Sequence, residues 1–170
     1  IQHDHNAYTP TQGIPRLRDR LAEHLKSDVG WHIDPRPASE ADMTRPGVMA
    51  TSGTSGGLLL AFMAVLDPGD EVIIPDPYFV MYPSLASVIG ARAVRCDTYP
   101  DFRLTAERVE PLITARTKAV LLNSPGNPSG VVSSGRECAE LLRLCRERGV
   151  LLISDEIYDE FTFRDARELT

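Results

Sequence analysis

Two short apolar runs, each ending in polar residues and separated by one helical stretch, limit what this chain can fold into more than any other feature. The first is Val120-Leu121-Leu122, which leads into N-S-P-G-N-P-S-G over 123–130; the second is Leu151-Leu152-Ile153, which leads into S-D-E-I-Y over 154–158. Brief continuous apolar runs suit strands buried on both faces of a parallel sheet. A strand, a helix and a second strand then form a parallel crossover. Ligands of open parallel sheets collect outside the carboxyl ends of the strands. Asn127, just past the first strand, Asp155, at the end of the second, and Tyr158, shortly after it, are therefore expected to face one pocket.

The rest of the chain has the same alternation. A helix is predicted over 14–27, with Leu17, Leu21 and Leu25 as its apolar stripe and Pro15 in its first turn. Residues 28–46, with Gly30, Pro35, Pro37 and Pro46, read as loop. Val48 to Thr51 is a strand candidate, followed by a helix over 54–66 that stops at D-P-G-D over 67–70. Further strands are predicted at 71–75, 91–95, 118–122 and 150–153, and further helices at 80–89, 105–113 and 133–148. Gly90 and Gly149 suit helix ends. Thr105 can cap the helix it precedes, although Glu107 is misplaced for a capping box. Leu141, Leu142 and Cys145 are the expected apolar side of the 133–148 helix.

The chain has 170 residues, of which 42% are apolar and 25% charged, enough for one domain with a real core. A net charge of −6 without a basic cluster argues against a nucleic-acid partner. Apolar runs such as Leu58 to Leu66 are too short to span a bilayer, and the polar residues 1–12 do not form a signal peptide. The first residue is Ile1, so upstream sequence is expected. The three cysteines, Cys96, Cys138 and Cys145, argue against a disulfide framework and fit a reducing, cytoplasmic setting. His3 and His5 form an H-x-H pair with no third ligand at suitable spacing, so no metal site is expected. Neither a Ser-His-Asp nor a Cys-His nucleophile arrangement is visible.

Four segments carry candidate chemistry. Thr51-Ser52-Gly53-Thr54-Ser55-Gly56-Gly57 joins a strand candidate to a helix, and the amides near Gly53, Thr54 and Ser55 suit a phosphate. The same residues also read as a plain helix-capping turn, and without a following lysine they are not a Walker loop. In P-D-P-Y-F over 75–79, Phe79 is either a stacking surface for a planar ligand or a cover for the core. Asn127 is a ligand donor or a turn residue, and Asp155 a ligand carboxylate or a helix cap. A carboxylate, an amide and a phenol together suit a heterocycle with a basic ring nitrogen and a neighbouring phenolic oxygen. Pyridoxal phosphate is such a molecule.

N-P-S-G followed by S-D-E-I-Y resembles the class I/II aminotransferases, which are fold type I pyridoxal-phosphate enzymes. The resemblance runs from Tyr8-Thr9-Pro10 to Phe161. It implies an α/β fold, a three-layer α/β/α large domain with a mainly parallel sheet, incomplete at the C-terminal end. Residues 1–46 would be an N-terminal segment with a helix leading into that domain, and 47–170 a partial cofactor-binding domain. It implies pyridoxal 5′-phosphate as cofactor and amino acid and 2-oxo acid substrates. Gly53, Thr54 and Ser55 would hold the phosphate, Phe79 would stack on the ring, Asp155 would face the pyridine nitrogen, and Asn127 and Tyr158 would bond the ring oxygen. Gly13 and Asn127 would contact substrate. Tyr8 would reach the phosphate held by a neighbouring subunit, which makes a homodimer the expected assembly. The family often has a longer side chain where Gly56 stands.

The family's Schiff-base lysine and its arginine for the substrate carboxylate fall beyond Thr170, so no catalytic residue of that kind is expected here, and Lys26 and Lys118 match other places. Later strands would fill the sheet between its first and fifth strands, and the 170 residues alone are expected to be inactive. Three alternatives stay open from sequence: a lyase or synthase on the same scaffold, an aminotransferase-like sensing domain of a transcription regulator, and a plain nucleotide-binding domain, which the lack of a G-x-G-x-x-G or Walker loop disfavours.

Overall fold

The structure is a computed structural model and describes residues 8–36 and 46–162. The H-x-H pair at His3 and His5 lies outside the described residues, as do positions 37–45 of the expected loop. The chain divides into two compact units, Ile1–Gly57 and Leu58–Thr170.

In the first unit, α1 (Pro15–Asp28) starts with its proline in the first turn and ends where the Val29 N–H bonds the Leu25 carbonyl at 3.1 Å. The covered positions of α1 are Arg18 and Ala22, whereas Leu17 is exposed and Leu21 and Leu25 are half-buried. The expected leucine stripe is thus offset by a residue from the buried positions of α1. Before α1, the Gly13 N–H bonds the Pro10 carbonyl at 2.9 Å, with Gly13 at φ +97°. A Cβ on Gly13 would lie 2.7 Å from the Ala50 Cβ, so both the angle and the contact demand glycine.

The strand expected at Val48 to Thr51 does not form. A strand exists by its ladder, and the bond from this segment back to earlier backbone is Ala50 N–H to the Gln12 carbonyl at 3.0 Å. The sheet of the described residues contains four strands rather than five.

Those strands are β1 (Glu71–Asp76), β2 (Arg92–Asp97), β3 (Thr117–Asn123) and β4 (Leu151–Asp155), all parallel, in the spatial order β2-β1-β3-β4. Helices α2 (Gly53–Val65), α3 (Met81–Val88), α4 (Ala106–Val109) and α5 (Gly135–Arg148) complete the elements that pack around it. Alternation along the strands sorts the core into two layers. Val72, Ile74, Ala119 and Leu121 pack with Leu58 and Phe62 of α2 and Tyr82 and Leu85 of α3. Ile73, Val120 and Leu122 pack on the other face with Val109 of α4 and Leu141, Leu144 and Cys145 of α5. The three-layer α/β/α arrangement expected from the sequence is therefore present.

Local chemistry explains the element ends. The expected 105–113 helix keeps a regular turn only over α4 and continues as 3-10 helix over Glu110–Leu112, where Pro111 brings no N–H. Thr105 does cap it, accepting from the Arg108 N–H at 3.4 Å. On α5 the Ser134 side chain accepts from the Glu137 N–H and Glu137 returns the bond to the Ser134 N–H, a full capping box. Gly149 closes α5 at φ 65°. Leu144, not Leu142, completes the buried side of α5, and Leu142 faces solvent. Cys145 is buried and Cys138 packs at the core margin, as expected of apolar fillers. Burial pushes the Cys96 thiol up to about 11.

Candidate functional site

β3 and β4 end side by side, with Asn123 paired to Asp155 in register. This places the polar ends of both apolar runs on one edge of the sheet, the carboxyl edge. Asp155 is only 4% exposed. Its Oδ2 accepts from the Tyr82 hydroxyl at 2.8 Å, and its Oδ1 accepts from the Ile157 N–H at 3.3 Å. Burial first, and then the bond to the Asp155 carboxylate, push the Tyr82 phenol far above its usual range. The phenol therefore stays protonated and remains a donor.

Tyr82 is delivered by α3 from the layer beneath, and its ring is 1% exposed. Phe79 meets it edge-on, with centroids 5.6 Å apart and planes at 78°. Phe79 is itself half-buried, packed on the core while still partly open.

Asn127 and Tyr158 come together across the same edge. The Asn127 Nδ2 donates to the Tyr158 Oη at 3.3 Å. Both side chains line an open cleft that also includes Pro125, Gly130, Val132 and Phe161. The loop that carries Asn127 is closed by its own backbone, with the Gly126 N–H on the Val131 carbonyl at 2.9 Å and the Gly130 N–H on the Gly126 carbonyl at 2.7 Å. Gly126 cannot be replaced without rearrangement, because a Cβ there would lie 2.6 Å from the Ser129 Oγ.

The second unit thus gathers Phe79, Asn127, Asp155 and Tyr158 at one edge of the sheet. In the first unit, Gly53, Thr54 and Ser55 form the opening turn of α2, with Gly53 at φ 68° and the Thr51 Oγ1 donating to the Gly53 carbonyl at 2.9 Å. The leading N–H groups of such a turn suit an anion. Gly13 is held in its tight turn against Ala50, and Tyr8 stands fully exposed.

Two residues of this edge were not singled out from the sequence. Tyr82 gave no signal, since its partner lies 73 positions away. Asn123 lay in plain view as the first residue after the β3 apolar run, but a strand-end asparagine reads as an ordinary turn residue. Among the described residues no group of three or more His, Cys, Asp and Glu is arranged to hold a metal. No described helix is long and apolar enough to cross a membrane.

The model of the family "Aminotransferase class I and II" matches residues 1–169. The chain belongs to the class I and II aminotransferases. It is 36% identical to an aspartate aminotransferase of Geobacillus stearothermophilus, over 100% of this chain and 41% of that protein. It is 39% identical to an aspartate/prephenate aminotransferase of Thermus thermophilus, over 92% of this chain and 38% of that protein. Among solved structures it resembles an aspartate aminotransferase from Thermus thermophilus with maleate, at a TM-score of 0.81 and 36% identity over 93% of this chain and 39% of that one. It also resembles an aromatic aminotransferase from Pyrococcus horikoshii, at a TM-score of 0.84 and 32% identity over 94% of this chain and 41% of that one. The chain therefore spans about two-fifths of the length of the relatives it matches.

Proposed function

We propose that the protein carrying this sequence is a pyridoxal-phosphate-dependent aminotransferase that moves an amino group between an amino acid and a 2-oxo acid. The observation that carries this is the buried Asp155 carboxylate, held by Tyr82 and the Ile157 N–H, on the same sheet edge as the Asn127–Tyr158 pair. That donor set fits the cofactor: a carboxylate for a basic ring nitrogen, an amide and a phenol for a ring oxygen, and an aromatic side chain, Phe79, for the ring face. Gly53, Thr54 and Ser55 suit its phosphate on the geometry of their own turn.

Bound pyridoxal phosphate supplies a protonated pyridine ring that draws off negative charge from the substrate α-carbon. Asp155 keeps the proton on that ring nitrogen by placing a carboxylate beside it. Tyr82 and the Ile157 N–H fix the direction of that carboxylate, so no reorientation is needed as charge develops. Asn127 and Tyr158 supply hydrogen bonds to the ring oxygen, and Asn127 and Gly13 are the candidates for substrate contact.

Related proteins bear the names of aspartate, aspartate/prephenate and aromatic aminotransferases, so acidic and aromatic amino acids are the classes to assay. The test is amino transfer from each to a 2-oxo acid, followed as the new amino acid formed. Formation of the 2-oxo product without transfer of the amino group would favour a lyase instead.

Neither lysine of this chain is the covalent anchor. Lys118 is the second residue of β3, at the amino edge of the sheet, 4.0 Å from Asp70. At about 3.3 Å per residue, the strand separates it by roughly 15 Å from the edge that carries Asp155. Borohydride reduction of the protein in the presence of pyridoxal phosphate should fix no cofactor on Lys118 or Lys26. A peptide map showing either one as the specific labelled site would overturn the site assignment.

Tyr8 is assigned to the phosphate site of a second copy, which makes a homodimer the working unit. Mixing Tyr8→Phe protein with Asp155→Ala protein should restore activity above either parent, because some hybrid dimers hold one intact site. No recovery under demonstrated subunit exchange would rule out a shared site.

A further inference from the structure

Asn123 is 8% exposed and makes two bonds in opposite senses. Its Oδ1 accepts from the Asn127 N–H at 2.7 Å, and its Nδ2 donates to the Asp155 carbonyl at 3.0 Å. The two partners fix the orientation of the amide. A backbone N–H needs an oxygen and a backbone carbonyl needs a donor, so the flipped amide would satisfy neither. The Ser124 N–H adds a second bond to the same Asp155 carbonyl at 3.2 Å.

The two residues so joined lie on different segments. Asp155 ends β4, where the ladder holds it. Asn127 lies in the irregular loop after β3, outside any ladder, and its N–H depends on a side chain for a partner. Apart from the Ser124 N–H on the Asp155 carbonyl at the loop's first residue, the backbone bonds of that loop close it on itself, through Gly126, Gly130 and Val131. Asn123 is therefore the side chain that ties the Asn127 backbone directly to the strand end bearing Asp155, beyond the Ser124 bond at the start of the loop.

We propose that Asn123 is a positioning residue, a buried amide that sets the Asn127 side chain relative to Asp155 and so couples their contributions to ligand binding. This rests on the pyridoxal-phosphate reading of the sheet edge, since it concerns how two of those groups are held. Asn123 itself touches no ligand. Its effect passes through the backbone of Asn127.

The test is a double-mutant cycle in the protein, with pyridoxamine 5′-phosphate as the probe because it needs no lysine. Its dissociation constant is measured for the parent protein, Asn123→Ala, Asn127→Ala and the double variant, with a thermal midpoint for each. Asn123→Ala should weaken binding by about tenfold, the scale of one hydrogen bond lost at ~1.4 kcal/mol per decade. In the Asn127→Ala background the same substitution should change affinity by less than about twofold, a coupling of the size seen for residues in one network.

Equal losses in both backgrounds would mean that Asn123 merely stabilises the fold, and would overturn the proposal. No loss from Asn123→Ala in a protein where Asn127→Ala does weaken binding would overturn it too. No loss from Asn127→Ala would instead sink the assignment of the site. If Asn123→Ala does not fold, Asn123→Asp replaces it in the cycle. That variant keeps an oxygen toward the Asn127 N–H but sets a second oxygen against the Asp155 carbonyl. Weakened binding that disappears in the Asn127→Ala background supports coupling, and additive weakening contradicts it.

Discussion

Replacing Asp155 with alanine is expected to lower transamination at least ~10³-fold, a rise of about 4 kcal/mol in the barrier, while the fold persists. The carboxylate is the group assigned to keep the ring nitrogen protonated, and the electron sink is lost with it. The fold should persist because Asp155 meets its neighbours largely through backbone that alanine retains: the β3–β4 ladder and the carbonyl that accepts from Asn123 and Ser124. The Tyr82 hydroxyl is left without its acceptor in a buried position, which costs about 1–3 kcal/mol of stability. The measurement is steady-state turnover beside a denaturation curve. Turnover near that of the parent would remove Asp155 from the chemistry.

At the opposite end of the sheet, Glu71→Gln is expected to destabilise the protein by about 2–3 kcal/mol near neutral pH without weakening cofactor binding. The Glu71 carboxylate is fully buried at the start of β1. It accepts from the Thr114 hydroxyl at 2.7 Å, from Arg92 at 2.5 Å and from Arg116 at 3.1 Å. The Thr114 bond first, with the two arginine bonds against the opposing effect of burial, holds the carboxyl down at about 2. Because the folded value lies below the ordinary one near 4.5, this stabilisation is complete above that pH and is lost as pH falls toward 2. Both arginine side chains are more than half exposed, so they rehydrate when the carboxylate goes, which keeps the cost below that of a wholly buried pair. Urea denaturation across this acid range should show a steep loss for the parent and a flatter one for Glu71→Gln. Parallel curves would place the acid sensitivity elsewhere.

The placement of Asp155 and Asn127 at the carboxyl edge was legible in the sequence because a strand end is a local event: an apolar run stops, and the polar residues within a few positions of the stop fall at that edge. The partners that orient them were not legible for the opposite reason. The Tyr82 bond to Asp155 depends on how α3 packs under the sheet, and no pattern near Tyr82 announces it. Asn123 has its partners both near and far in sequence, and only the register of β3 with β4 shows that its amide bridges them.

The misread elements share a cause as well. Val48 to Thr51 is apolar enough for a strand, but composition does not provide a neighbour to pair with. The 105–113 segment has helical composition, but Pro111 breaks the bonding pattern after one turn. Leu142 and Leu144 differ only in which flank of α5 faces the sheet, a choice that packing makes. The capping box of α5 was not read from the sequence, although the Ser134-x-x-Glu137 spacing carries that signal.

The proposed function requires Asp155 to face the pyridine nitrogen of a bound cofactor. Nitrogen NMR of pyridoxamine 5′-phosphate, isotope-labelled at the ring nitrogen and bound to the protein at mildly alkaline pH, tests it most directly. The parent protein should hold that nitrogen protonated, and Asp155→Asn should return its signal to the unprotonated position of the free compound. The same unprotonated signal in both proteins, with the compound bound equally well, would contradict the claim.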